Sequence, residues 1–75
     1  MNDIVYIVVY FNGNEYKKRI VNLECKRVAS QLAKTKSMLT GKSSYVLKSR
    51  GVWIDGIFNS IESTHVCSYR DGKRS

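Results

Sequence analysis

The chain has no proline, a single histidine and only two cysteines in its 75 residues, and between Cys25 and Ile54 it has no aspartate or glutamate. Each shortage excludes something. With no proline there is no Pro-rich linker, and at 43% hydrophobic residues the chain is too apolar to be a disordered basic tail. Cys25 and Cys67 are fewer than the disulfide framework that a secreted domain of this size needs, so both are expected as reduced thiols. The start, Met1-Asn2-Asp3, lacks the basic opening of a signal peptide. The longest apolar run, Ile4 to Phe11, is eight residues, far short of the roughly 20 of a membrane-spanning helix. A cytoplasmic protein with no membrane contact is therefore expected.

The supply of chemical groups is also short. His65 and Cys67 stand two apart, which places them on one face of a strand, but no third group orients them and no oxyanion hole is marked. A zinc site needs about four ligands, and no CxxC or HxxxH spacing provides them. The carboxylates Asp3, Glu15, Glu24, Asp55, Glu62 and Asp71 are scattered, and the glycines are isolated turn residues with no phosphate-loop pattern. The expectation is a protein without a catalytic site, metal or cofactor. A single domain spanning residues 1–75 is expected, near the lower size limit for a core without staples.

What is present is positive charge in one block. Lys26, Arg27, Lys34, Lys36, Lys42, Lys48 and Arg50 fall between Cys25 and Ile54, while outside that window six Lys and Arg are balanced by the six Asp and Glu. The whole formal charge of +7 thus belongs to thirty residues. A charge concentrated in this way makes a directional field that attracts phosphate or a carboxylate-rich surface.

The pattern of apolar residues predicts an α+β fold, a single antiparallel sheet in the order β-β-α-β-β-β with one helix packed on one face. Ile4 to Phe11, nearly all β-branched or aromatic, reads as a central strand. Its Ile4, Tyr6, Val8 and Tyr10 side is expected to be only partly covered. Asn12-Gly13-Asn14 is a hairpin turn and Glu15 to Val21 the returning edge strand. Asn22 caps a helix of about four turns, whose stripe Cys25, Val28, Ala29, Leu32 and Ala33 is read as the buried face, with Met38 and Leu39 folding onto the core before Gly41. Tyr45 to Lys48, Val52 to Phe58 and Thr64 to Tyr69 are read as strands, with Ser49-Arg50-Gly51 as a turn and Arg70-Asp71-Gly72-Lys73 as another.

Lys17, Lys18, Arg19, Lys26, Arg27, Lys34, Lys36, Lys48 and Arg50 are the candidate binding residues. Lys17 to Arg19 and Lys26-Arg27 are expected to share one edge of the molecule, enough to hold a phosphate backbone or an acidic protein surface with marked salt sensitivity. Tyr6, Tyr10, Tyr16, Tyr45 and Trp53 are candidates for a stacking platform wherever they reach an open sheet face.

Two segments, Lys26-Arg27-Val28-Ala29-Ser30 and Tyr69-Arg70-Asp71-Gly72-Lys73-Arg74, resemble parts of the small phage-encoded type I-F anti-CRISPR proteins. The resemblance is confined to those segments. It implies an inhibitor, acting in the host cytoplasm, that docks on a guide-RNA-bearing effector complex. Its basic residues, Lys26 and Arg27 among them, would lie in the path of target DNA. The other reading is a stand-alone DNA- or RNA-binding module or small transcriptional regulator, and under either reading a monomer or homodimer is expected.

Overall fold

A computed structural model describes residues 2–74. It has the expected α+β layout, with strands β1 (Asp3–Phe11), β2 (Tyr16–Asn22), β3 (Ser44–Ile54), β4 (Ile57–Arg70) and β5 (Lys73–Arg74). A short 3-10 turn at Leu23–Cys25 leads into the helix α1 (Lys26–Thr40). The strands make one sheet in the order β2-β1-β3-β4-β5, antiparallel throughout, so β1 is interior and β2 lies at an edge.

Local chemistry accounts for the punctuation. Asn12 closes the first hairpin by accepting the amide hydrogens of Asn14 and Glu15 on its side-chain oxygen. Asn22 accepts from the Glu24 amide and so starts the 3-10 turn that feeds α1. At the other end Gly41 takes φ 70° and returns its amide to the Ser37 carbonyl.

One side of β1 meets the helix. Tyr6 and Val8, with Val21, Val46, Cys67, Ala29 and Ala33, form the buried core, and Tyr10, Leu32 and Tyr69 pack against it. The tyrosine-bearing side of β1 is thus the one that takes the helix, contrary to the expectation from the sequence, while Val5 and Ile7 on the other side are buried as well. Both faces of β1 are apolar, so its pattern does not say which of them takes the helix.

The helix buries a different line from the one its larger residues suggest. Ala29, Ala33 and Ser37, spaced four apart, are its buried residues. Small side chains let the backbone settle close to the sheet, and the bulkier neighbours are turned to the flank. Cys25 is exposed, Val28 is 56% exposed and Leu32 is only partly buried. Met38 and Leu39, expected on the core, are 62% and 74% exposed.

Ser37 fastens the helix to the last hairpin. Its hydroxyl donates to the Lys34 carbonyl at 2.7 Å and accepts the Gly72 amide at 2.9 Å. Ser37→Ala leaves that part-buried amide without its acceptor and should cost about 1–2 kcal/mol. A urea midpoint unchanged from the wild type would contradict that role.

The second half of the sheet departs most from the sequence reading. Ser49-Arg50-Gly51 is not a turn. β3 runs through it, and a register shift between Arg50 and Gly51 absorbs the irregularity. The reversal comes at Asp55-Gly56, both with positive φ (51° and 78°), the geometry of a tight hairpin turn. β4 is then a single strand of 14 residues, so the segment from Ile57 to Ser63 belongs to it, and β5 is the short return after Asp71-Gly72. β1 pairs with β3 only as far as Gly51, so Val52 to Asn59 form an arm that extends past the sheet.

Candidate functional site

Alternation along the strands decides where each cation goes. On β2, Val21, Arg19 and Lys17 lie beside Tyr6, Val8 and Tyr10 and therefore share the helix side. Lys18 lies beside Val9 and belongs to the opposite, open face. On β3, Lys48 and Arg50 are the partners of Tyr6 and Ile4, which returns them to the helix side. Of the nine candidate residues, all but Lys18 thus lie on the side that carries α1. The expected single edge from Lys17 to Arg27 is corrected to that extent, because consecutive strand residues cannot share a face.

The cations surround the helix in different settings. Lys26, Arg27 and Lys34 are exposed, and Lys36 is half-buried with its Nζ 5.1 Å from the centre of the Tyr10 ring. Lys17 is the cross-strand neighbour of that same tyrosine. Lys17 pairs with Glu15 at 3.2 Å and Arg50 with Glu62 at 3.4 Å, both pairs exposed and therefore weak. Among the described residues no carboxylate lies in ion-pair range of Lys26, Arg27, Lys34 or Lys36.

Lys26 and Arg27 open α1, which has no acidic residue in its first turn and no basic residue in its last. The helix dipole favours the reverse arrangement, with anions at the N-terminus and cations at the C-terminus. Glu24, in the 3-10 turn just before, is the nearest acid in sequence and pairs with neither, so helix stability does not account for this pair. Near the other end of the sheet, Lys48 and Arg50 line a shallow cleft of about 190 Å³ with Ile4, Ser49, Glu62 and Thr64. That is smaller than a usual small-molecule site. On the helix itself Arg27, Val28, Gln31, Leu32 and Thr35 line a wider and mostly apolar hollow of about 480 Å³, so the face offers carbon beside charge.

The open face carries a row of rings. Phe11 and Tyr16 are 5.3 Å apart, Tyr16 and Tyr45 6.5 Å, and Tyr45 and His65 6.5 Å, measured between ring centres. Of the tyrosines proposed as a platform from the sequence, Tyr16 and Tyr45 are in this row, whereas Tyr6 and Tyr10 lie under the helix. Trp53 packs edge to face on Phe58 in the projecting arm, apart from the row. Phe11 was missed because the odd-numbered side of β1 was expected to face the core, and both sides are apolar. His65 was missed for the reason that follows.

His65 and Cys67 do not share a face. Val46 pairs with Cys67 but Leu47 pairs with His65, so Val66 is an extra residue, a β-bulge that reverses the alternation. Cys67 is buried in the core under the helix, while His65 faces out against Tyr45. A thiol–imidazole pair is thereby ruled out at these positions. Among the described residues there is no group of three or more His, Cys, Asp or Glu that would hold a metal, and no helix is long and apolar enough to cross a membrane.

No protein-family model, curated protein or solved structure matches this chain.

Proposed function

We propose that this chain is a small anti-defence inhibitor of the phage type. It seats its cationic helix side on a nucleoprotein effector complex of the host, a CRISPR effector by the resemblance of its basic helix and last hairpin, and so keeps nucleic acid out. The observation that carries the reading is the pair Lys26 and Arg27, free of carboxylate partners among the described residues and placed at the helix end where the dipole disfavours cations. Stability gives no reason for them, and an anionic partner does.

Around this pair, Lys17 and Arg19 from β2 and Lys34 and Lys36 from α1 extend the field on the same side of the sheet. Such a surface gains on contact by displacing counterions from phosphates or by pairing with carboxylates. The mechanism is stoichiometric occlusion: side chains of the inhibitor take the positions that phosphates of the incoming nucleic acid would occupy. No chemical step is involved, and the site of action is the host cytoplasm.

An affinity pulldown from a bacterial lysate, run with and without nuclease, tests the proposal. The inhibitor reading predicts a defined protein assembly that stays bound after nuclease and elutes as salt is raised. Capture that vanishes with nuclease would overturn it in favour of a plain nucleic-acid module.

A further inference from the structure

We infer that the open face of the sheet carries a second site, which takes unpaired bases of single-stranded nucleic acid on the ring row of Phe11, Tyr16, Tyr45 and His65. The inference stands apart from the proposed function, because the row lies on the face opposite to the helix.

The geometry suits bases better than other ligands. The four rings come from β1, β2, β3 and β4, so the row crosses the sheet and spans several base widths. Adjacent rings are inclined to each other by 69°, 40° and 63°, so none is stacked flat on its neighbour. Tyr16 is 47% exposed and Tyr45 37% exposed, which leaves ring surface open to a partner. Stacking on exposed aromatic rings is how sheet surfaces hold unpaired bases with little regard to sequence. A base inside a duplex has no free face to offer, so duplexes are poor ligands here.

Charge on this face points to the same ligand. Lys18 stands beside Val9, which is in turn the partner of Tyr45, so it flanks the row from β2. The partner of Tyr45 on β4 is Ser68, and Arg70 follows two residues on, flanking the row from the other side. Lys42 lies with its Nζ 5.9 Å from the centre of the Phe11 ring. Three carboxylates are held elsewhere: Asp3 is opposite Gly51 at the far end of β1, Glu62 is paired with Arg50 on the helix side, and Glu15 is paired with Lys17, while Asp71 lies in the last turn beside Arg70 and close to Gly41. Lys18, Lys42 and Arg70 thus stand on more than one side of the rings, an arrangement that suits a base-stacking, phosphate-following strand.

Titration of the full chain with labelled oligo-dT and oligo-U of about a dozen nucleotides, and with a duplex of the same length, tests the site. Single strands should bind more tightly than the duplex, and more weakly as salt rises. Tyr16→Ala and Tyr45→Ala should each lower the affinity by about tenfold or more, whereas Tyr16→Phe and Tyr45→Phe, which keep the ring, should retain it. The Tyr16→Ala/Tyr45→Ala double variant should still capture the protein assembly of the proposed function, which separates the two sites. NMR of the wild-type chain avoids any doubt about variant folding: added oligonucleotide should shift ring signals of Phe11, Tyr16, Tyr45 and His65. Equal affinity for duplex and single strand, or shifts confined to α1, would overturn the inference.

Discussion

The variant Gly51→Ala is expected to lose about 3 kcal/mol of folding stability. A Cβ at this position would run into the carbonyl oxygen of Asn59 and lie 2.8 Å from Cζ of Phe58. The first obstacle is backbone, in the strand paired with β3, and it cannot move aside without breaking the ladder around the register shift. Overpacking a well-filled site costs about 1–3 kcal/mol, and a backbone clash belongs at the top of that range. Against a total of roughly 0.05–0.15 kcal/mol per residue, such a loss is a large fraction of the stability of a chain this short. Urea unfolding followed by circular dichroism measures it. A midpoint equal to that of the wild type would mean that the approach of β4 to Gly51 is wrong.

The charge-reversed double variant Lys26→Glu/Arg27→Glu is expected to lose partner binding by a factor on the order of a hundred or more. Each charged contact of this kind contributes about 1.5 kcal/mol or above, and tenfold in affinity corresponds to about 1.4 kcal/mol. Fold stability should hold or rise, since glutamate at the start of a helix interacts favourably with its dipole. That opposition gives the experiment its force, because a loss of binding in a protein no less stable than the wild type cannot be blamed on unfolding. Lys18→Glu, which changes half as much charge, is the control from the other face. It reverses a charge on the opposite side of the sheet and should leave protein capture close to that of the wild type. Equal losses from both changes would show that binding follows net charge rather than the helix side.

Much of the first half of the fold was legible because each residue's local preference agrees with its place. Ile4 to Phe11 can do little but form a strand, Asn12-Gly13 turns it, and Asn22 and Gly41 bracket the helix. What the pattern did not contain was the choice of face. Both sides of β1 are apolar, and the helix settled on Tyr6 and Val8, where the small residues Ala29, Ala33 and Ser37 allow close approach. The stripe read as buried held Ala29 and Ala33 correctly, but Cys25 and Val28 on it are exposed, as are Met38 and Leu39, and Ser37 was missed, because hydrophobicity was weighed above size.

The β3–β4 hairpin was misread for a different reason. Ser49, Arg50 and Gly51 look like a turn because serine and glycine are common in turns, yet at Gly51 the β4 backbone occupies the place a Cβ would take. The bulge at Val66 has no local signature, since an extra residue in a strand is defined by the partner strand. It alone separates His65 from Cys67 and places His65 in the ring row. That the cations form one block is visible in composition, but which side of the sheet each takes comes from strand alternation. Lys18 was misplaced by treating three consecutive strand residues as one patch.

Hydrogen exchange on the captured assembly addresses the helix side as a binding face most directly. Protection gained on binding should fall in α1 from Lys26 to Lys36 and in β2 around Arg19, while the ring row and the Trp53 arm exchange as in the free chain. Protection gained on the open face or the arm, with α1 unchanged, would contradict the account.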